Sequence, residues 1–223
     1  MMIYVVLLAL VTAALLLRAW YVLVPQRLKM PLHVYDAQQK KPNDATPTGR
    51  VPTMVVLGSG GHTTEMLKLI KRLKRDVYTP MAFVVAETDR TSREKTMIDY
   101  TPRGDDSFMI IPRSREVGQS WSSSVWSTLY AFRVCLGGVY RYKPELVLCN
   151  GPGTCIPIVA AVLLLRFVGL QERSKIIFCE SFARVQSLSL SGKILYYFVD
   201  EFVIHWPQLQ VKYPKTTHLG VIC

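Results

Sequence analysis

Residues 53–75 read TMVVLGSGGHTTEMLKLIKRLKR, and this stretch decides the fold. The apolar run Met54–Leu57 predicts a short buried strand, and a glycine-rich loop over residues 58–63 follows it directly. Over residues 63–75 the apolar side chains recur at helical spacing. A strand, a glycine loop and a helix in this order predict the first unit of an α/β domain.

The alternation of strands and helices continues along the chain. We predict further strands over Met81–Ala86, Phe108–Ile111, Glu145–Leu148 and Lys175–Cys179, and further helices over Ser122–Tyr142 and Thr154–Phe167. Continuously apolar strands that alternate with helices indicate a parallel sheet covered on both faces. The predicted fold class is therefore α/β, a Rossmann-like parallel sheet with helices on both sides.

The N-terminus predicts a membrane anchor. Residues 3–24 form an apolar run interrupted by one charge, Arg18, and about 20 such residues cross a bilayer core. A cleaved signal peptide is disfavoured, because no basic start and no small-residue cleavage site are present. Basic residues flank only the C-terminal end of the run, which predicts a lumenal N-terminus and a cytosolic body. We divide the chain into an anchor (1–25), a proline-containing cytosolic tether (26–52) and one folded domain (53–223).

Composition narrows the possible partners. The 223 residues are 50% hydrophobic and carry a net charge of +11. A disordered chain is excluded, and nucleic acid, anionic lipid or a phosphorylated ligand are all compatible with the charge. The five cysteines form no C-x-x-C pair and show no metal-like spacing, so we expect reduced thiols on a cytosol-facing protein.

The first loop has the features of a phosphate-binding loop. Open α/β sheets bind ligands where their strands end, and here glycines precede a helix whose first N–H groups are free for an anion. The loop has no Walker A lysine, and Thr63 replaces the third glycine of a dinucleotide fingerprint. A dinucleotide site with Glu87 as its ribose-binding acid stays a minor alternative, as does a simple tight turn.

Two further loops are expected at the same edge of the sheet. Residues 150–154 read NGPGT between a predicted strand and a predicted helix, and two glycine loops at one edge suggest a pyrophosphate ligand. Residues 180–184 read ESFAR and offer a carboxylate and a guanidinium. The alternative for Glu180 and Arg184 is an ordinary i,i+4 ion pair without a ligand.

These loops resemble a known family. GSGGHTTEML, NGPGTCIP and CESFARVQSLSLSGKILYYFVDEFVIHWPQL are similar to the membrane-anchoring subunit of the UDP-N-acetylglucosamine transferase that adds the second GlcNAc to dolichol-linked GlcNAc-diphosphate. The resemblance runs from about residue 53 to residue 220. The loops also resemble the N-terminal half of the bacterial glycosyltransferase that makes the lipid-linked peptidoglycan precursor. This likeness implies half of a GT-B fold.

The resemblance implies a split enzyme. A GT-B enzyme needs two facing domains, roughly 300 residues, and this chain has room for one. The implied partners are a soluble catalytic subunit that carries the UDP-GlcNAc site, the dolichol-linked acceptor and the endoplasmic reticulum membrane, which is continuous with the nuclear envelope. Nucleic acid is not an implied partner, and neither a cofactor nor a metal site is implied.

Residue roles follow as hypotheses. His62 and Glu180 compete for the role of catalytic base. The apolar C-terminal residues Leu219, Val221, Ile222 and Cys223 are predicted to bind the partner subunit. The predicted ligands of the acceptor diphosphate are Gly58, Ser59, Gly60, Gly61, Asn150, Gly151, Gly153, Thr154, Ser181, Arg184 and Lys193.

Two alternatives to this function stay open. A pure membrane scaffold would recruit the catalytic subunit and have glycine loops without any ligand. An autonomous nucleotide-dependent enzyme is disfavoured by the broken fingerprint and by the missing second domain. The residues do not decide between His62 and Glu180, or whether a metal assists.

Overall fold

The computed structural model describes residues 2–23, 49–113, 121–151 and 153–222. Its helices are α1 (Met2–Leu23), α2 (Gly61–Lys71), α3 (Arg90–Asp99), α4 (Trp121–Tyr142), α5 (Cys155–Phe167), α6 (Leu190–Leu195) and α7 (Pro207–Lys212). Its strands are β1 (Thr53–Val56), β2 (Met81–Ala86), β3 (Ser107–Ile111), β4 (Leu146–Asn150), β5 (Lys175–Cys179), β6 (Glu201–Ile204) and β7 (Thr217–His218).

The strands form one parallel sheet in the order β3-β2-β1-β4-β5-β6-β7. Every neighbouring pair is parallel, for example β1 with β4, where Thr53 lies opposite Leu146. All residues of β1, β2 and β4 are buried, as expected for strands covered on both faces. The Rossmann-like parallel sheet predicted from the sequence is confirmed.

Alternate residues of β1 divide the core into two layers. Met54 and Val56 point to one face, where they join the buried side chains of α4 and α5. Val55 and Leu57 point to the other face, which α2 covers. This division follows from the side-chain period of two along a strand. The two layers hold the sheet rigid, and the loops at its edge are built on that support.

The strand order reverses between β1 and β4. From β1 the chain moves to β2 and β3 on one side, and then returns to place β4 on the other side of β1. The loops that follow β1 and β4 therefore diverge at this switch point and leave a crevice at the carboxyl edge of the sheet. Ligands of open α/β sheets bind in such a crevice.

Several elements differ from those predicted. Helix α2 begins at Gly61, so His62 lies in its first turn. The helix ends at Lys71, because the backbone N–H groups of the next two residues donate to carbonyls three residues earlier and form a tighter turn. Strand β4 extends to Asn150, which pairs with Cys179 of β5. The short elements α3, α6, β6, α7 and β7 were not predicted individually.

Helix α1 forms over most of the predicted anchor. Among the described residues, no helix is both long enough and apolar enough to cross a membrane. The Arg18 guanidinium donates to the carbonyls of Arg166 and Phe167 at 2.7 and 3.0 Å and to the Glu172 carboxylate at 2.5 Å. This single charge of α1 thus caps the C-terminal end of α5.

Two other predictions, the tether and the reduced cysteines, involve residues that lie partly outside the described ranges. The predicted tether lies outside the described residues up to residue 48. The cysteines within the described ranges are buried free thiols, in agreement with the expectation of reduced cysteines, and these are Cys135, Cys149, Cys155 and Cys179.

Candidate functional site

The loop between β1 and α2 exposes its backbone at the crevice. Ser59, Gly60 and Gly61 are exposed, while Gly58 is buried beneath them. Gly60 has φ +65, a conformation that glycine adopts without strain. No acidic side chain lies in the first turn of α2, so its N–H groups present an uncompensated positive end.

The base of this loop is anchored by hydroxyl groups. The Thr63 hydroxyl donates to the Gly58 carbonyl, which also accepts from Ser92 Oγ at 3.2 Å. The Asp89 carboxylate accepts from Ser92 N at 3.1 Å and so caps α3. Thr63, which stands where a dinucleotide fingerprint has its third glycine, closes the loop on itself. Its side chain fills the space that such a fingerprint leaves open.

The loop after β4 lies against the first loop. Asn150 is 1% exposed, and Gly151 has φ +63. A Cβ added to Gly151 would lie 2.5 Å from His62 Cε1 and 2.7 Å from His62 Nδ1. The absence of a side chain at residue 151 therefore lets the imidazole lie against the backbone.

The hydroxyl of Thr154 has no partner in the described residues. Thr154 is 8% exposed and precedes α5, and its Oγ1 makes no hydrogen bond there. Its neighbour Gly153 is exposed. A buried hydroxyl without a partner costs free energy, so this end of α5 has unused hydrogen-bonding capacity.

A polar network joins the three loops. His62 Nδ1 lies 3.0 Å from Asn150 Oδ1, and Asn150 Nδ2 donates to Glu65 Oε2 at 3.0 Å. Ser181 Oγ, from the loop after β5, donates to Glu65 Oε1 at 2.9 Å. The structure thus brings together His62, Asn150 and Ser181, three of the predicted site residues. The residue that joins them is Glu65, which the sequence analysis missed.

The network sets the charges of its two titratable groups. The Glu65 carboxylate, whose Oε2 lies 3.7 Å from His62 Nδ1, raises the pKa of His62, and burial of the imidazole offsets only part of this rise. For Glu65, burial acts to raise the pKa, but the nearby His62 imidazole and the hydrogen bonds from Asn150 and Ser181 outweigh it and lower the pKa below its ordinary value. Glu65 is therefore a carboxylate at neutral pH.

Glu180 lies beneath the third loop. Its carboxylate is fully buried and accepts from the backbone N–H groups of Ser181 and Ser189 at 3.0 and 2.9 Å and from Ser189 Oγ at 3.0 Å. Burial raises its pKa. These bonds tie the two ends of the loop together across residues 181–189. In this position the carboxylate supports the loop rather than facing the crevice.

The remaining predicted residues lie in the loop after β5, on α6 and at the chain end. Arg184 and Lys193 are exposed, the first in the loop after β5 and the second on α6. Leu219 and Val221 are 55% and 54% exposed, and Ile222 is partly exposed. Cys223 lies outside the described residues. Within those residues, no group of three or more His, Cys, Asp or Glu side chains could hold a metal ion.

Glu65 had a detectable signal in the sequence. It lies three residues after His62, and residues three apart on a helix share a face. Its partners Asn150 and Ser181 are 85 and 116 residues away in the chain. The spacing to His62 alone would have placed Glu65 beside the histidine, but only the fold brings the other two to it.

Two solved structures share this fold. MurG of Acinetobacter baumannii matches 77% of this chain with a TM-score of 0.55 and 14% sequence identity. A UDP-N-acetylglucosamine 2-epimerase of Rickettsia bellii matches 78% with a TM-score of 0.51 and 14% identity. The chain covers 45% of each of these proteins, so it corresponds to less than half of either. The fold and its edge loops define a Rossmann-like domain of the GT-B type.

The family follows from sequence similarity. Residues 53–222 match the family described as "Oligosaccharide biosynthesis protein Alg14 like". The chain is 45% identical over 188 residues to the human protein named "UDP-N-acetylglucosamine transferase subunit ALG14", covering 80% of this chain and 86% of the human one. The Yarrowia lipolytica protein of the same name is 44% identical over 173 residues, covering 76% and 80%. This chain belongs to the Alg14 family.

Proposed function

We propose that this chain is the membrane-anchoring, acceptor-binding subunit of a heteromeric UDP-GlcNAc transferase. It recruits a soluble catalytic subunit, so that GlcNAc is transferred to GlcNAc-diphosphate-dolichol in the second step of lipid-linked oligosaccharide assembly for N-glycosylation. The observation that carries this proposal is the 45% identity over 80% of the chain to a protein named as a subunit of a UDP-N-acetylglucosamine transferase.

The crevice offers a site for the acceptor diphosphate. The exposed backbone of residues 59–61 lies at the positive end of α2. The Thr154 hydroxyl, which has no hydrogen-bond partner within the described part of the chain, lies before α5. Arg184 and Lys193 add exposed cations on the β5 side of the sheet. Close approach of backbone N–H groups to phosphate oxygens requires residues without large side chains, and both loops provide glycines for this.

His62 is the proposed catalytic base. The acceptor hydroxyl oxygen attacks the anomeric carbon of the donor sugar and gives its proton to the imidazole. The new C–O bond forms as the bond to the donor's diphosphate breaks, and UDP leaves with the electron pair. His62 is half-buried at the crevice, whereas Glu180 is fully buried under its loop. We therefore assign proton transfer to His62 and loop support to Glu180.

The donor half of the cleft comes from the partner. The chain corresponds to 45% of the MurG structure, and the missing part would be a second polypeptide that faces the crevice. The exposed Leu219 and Val221 form an apolar surface for it. The backbone of this tail is held, since Gly220 O lies 3.0 Å from His205 Nδ1. A tail that is already ordered loses less entropy when the partner binds.

The N-terminal helix is the proposed anchor. The proposal rests on the sequence, in which residues 3–24 form an apolar run with a single charge. The charge pattern around it supports a cytosolic domain and an N-terminus in the lumen of the endoplasmic reticulum. The acceptor's polyprenyl chain stays in the same membrane, so tethering raises the effective concentration of the two partners.

A reconstitution assay tests the proposed function. Transfer of GlcNAc from UDP-GlcNAc to a lipid-linked GlcNAc-diphosphate is measured with the purified full chain alone, with the soluble subunit alone and with both. We expect transfer only in the mixture, because each polypeptide carries half of the cleft. Transfer by this chain alone would contradict the split-enzyme proposal.

The same assay separates acceptor binding from pure scaffolding. The mixture is prepared with His62→Gln, and co-purification of the soluble subunit is measured beside turnover. The proposal expects normal recruitment and a loss of activity of about 100-fold or more, the usual contribution of a general base. Full activity with normal recruitment would instead support the scaffold alternative.

Deleting residues 221–223 is expected to weaken binding of the soluble subunit by about 100-fold. The deletion removes Cys223 and the side chains of Val221 and Ile222, and each of these two is worth about 1.5 kcal/mol or more when buried in an interface. Binding is measured by titrating the soluble subunit onto membranes that contain the full chain. Val211→Ala is the control, because Val211 is an 86% exposed apolar residue on α7 outside the tail. Equal affinities of the deletion and the control would place docking elsewhere.

A further inference from the structure

Glu65 is the residue that connects the three loops of the site. Its two carboxylate oxygens have separate hydrogen-bond donors: Oε2 accepts from Asn150 and Oε1 accepts from Ser181. Oε2 also lies 3.7 Å from His62 Nδ1. The Glu65 side chain is 19% exposed, whereas the His62 side chain is 36% exposed. Glu65 is therefore less accessible from the crevice than His62. Its contacts are with residues of the site.

The polarity of these hydrogen bonds determines which nitrogen of His62 carries a proton. An ionised carboxylate only accepts, so Asn150 must turn its amide nitrogen towards Glu65. The amide oxygen of Asn150 then faces His62 Nδ1 at 3.0 Å, and an oxygen acceptor requires a hydrogen on that nitrogen. In the neutral imidazole the lone pair is therefore on Nε2.

We propose that Glu65 is a positioning residue that, through Asn150, fixes His62 in the Nδ1–H tautomer and leaves Nε2 as the proton acceptor. The role as proton acceptor rests on the proposed transferase function, whereas the tautomer does not. Ser181 holds the carboxylate from the opposite side, so the loop after β5 fixes the orientation of Glu65. Orientation thus passes from Glu65 to Asn150 and from Asn150 to the imidazole, while the Glu65 charge acts on the imidazole directly.

Glu65→Gln tests this directly. Ser181 Oγ already accepts from Ala183 N at 3.3 Å and donates to residue 65, so we expect the glutamine to keep its oxygen towards Ser181 and to present its NH₂ to Asn150. Asn150 then flips and offers its own NH₂ to His62. His62 is then driven to the Nε2–H tautomer, which has no lone pair towards the acceptor. We expect kcat of the reconstituted complex to fall by about 100-fold, with KM for UDP-GlcNAc unchanged because the donor site lies on the partner.

The pH profile distinguishes positioning from a merely structural role. The charged groups that act on His62 are Glu65 on its own helix and Glu180 directly after β5, and the neutral Asn150 faces it from the end of β4. Glu65 raises the His62 pKa, and a base works only above its pKa. Removing the Glu65 charge is therefore expected to move the acidic limb of kcat/KM to lower pH. An unmoved limb would overturn the proposal.

A reciprocal exchange provides the rescue. In the double variant Glu65→Gln with Asn150→Asp, the glutamine NH₂ donates to the new carboxylate, which in turn accepts from His62 Nδ1–H. The original polarity is restored, and we expect activity at least about tenfold above that of Glu65→Gln alone. Glu94→Gln, an exposed glutamate on α3, is the matched control and should retain full activity. No recovery in the double variant would overturn the proposal.

Nitrogen NMR of the full chain labelled at histidine reads the tautomer without any turnover. The His62 signal is identified by its loss in His62→Gln. We expect Nδ1–H in the wild type and in the double variant, and Nε2–H in Glu65→Gln. An inactive wild-type complex with these tautomers would refute the transferase function alone, whereas an active complex with unchanged tautomers would refute the role of Glu65. Co-purification with the soluble subunit and thermal melting confirm that each variant is folded.

Discussion

Gly151→Ala is expected to lower the activity of the reconstituted complex by about 100-fold, as much as loss of His62 itself, while the protein stays folded. The added Cβ would lie 2.5 Å from His62 Cε1 and 3.2 Å from His62 Nε2, far inside van der Waals contact, so the imidazole must leave its position. Displacing a reacting group by about 1 Å can cost 100-fold, and loss of a general base costs 100-fold or more. The φ of +63 adds strain of about 1 kcal/mol, which is too little to unfold the domain.

The control for this variant is another glycine. Gly137 lies on the exposed side of α4, and a Cβ there meets nothing within 4 Å. Gly137→Ala is therefore expected to retain activity and to gain slightly in stability, because alanine is the better helix former. Turnover and urea-induced unfolding are measured for both variants side by side.

A double variant identifies the cause of the loss. In a His62→Ala background there is no imidazole to displace, so adding Gly151→Ala is expected to cost less than about threefold in kcat. Such non-additivity is the signature of two residues that act through one contact. An undiminished loss in the His62→Ala background would show that Gly151 serves another purpose, such as direct contact with the acceptor.

The parts of the fold that the sequence predicts correctly rest on local signals. The runs at Met54–Leu57 and Met81–Ala86 are continuously apolar, and glycines follow β1 and β4, so parallel strands with ligand loops at one edge could be expected. Helix α3 was missed because its sequence, RTSREKTMID, is polar around most of its surface. Its start is instead fixed by the Asp89 cap, which accepts from Ser92 N.

The parts of the site that the sequence does not predict depend on long-range contacts. Glu65 reads as an ordinary helix residue until Asn150 and Ser181 are brought to it over 85 and 116 residues. Glu180 follows a strand and reads as an edge carboxylate, but Ser189, nine residues later, folds back over it. The sequence shows that both residues are glutamates, but only the fold shows which groups each carboxylate contacts and therefore what role it has.

Asp200→Ala is expected to destabilise the domain by about 3–5 kcal/mol, a large fraction of a typical domain's stability. Asp200 and Arg166 form an ion pair in which both side chains are 7% exposed. Asp200 Oδ1 accepts from Arg166 Nη1 at 3.3 Å, and Oδ2 accepts from Ile176 N at 2.7 Å. Removing the carboxylate leaves a guanidinium and a backbone N–H buried without it, and the desolvation cost of both is then uncompensated.

The control for Asp200→Ala is a variant of an exposed ion pair. Asp76 lies 3.1 Å from the Arg103 guanidinium, but its side chain is 93% exposed, so Asp76→Ala should cost less than about 1 kcal/mol. The free energy of unfolding of the detergent-solubilised full chain is measured in urea for both variants. A loss of less than about 1 kcal/mol in Asp200→Ala would mean that water reaches the Arg166 guanidinium in the folded state.

The position of the Asp200–Arg166 pair predicts that its loss lowers the stability of the domain and leaves catalysis unchanged. Asp200 precedes β6, and Arg166 lies in the last turn of α5, so the pair lies at the amino edge of the sheet, opposite the crevice. The Asp200→Ala protein that remains folded is therefore expected to have the wild-type kcat per assembled complex, although less of it assembles. Gly151→Ala is expected to show the opposite pattern, with normal assembly and a low kcat. A reduced kcat in assembled Asp200→Ala would show that the sheet transmits strain from its amino edge to His62.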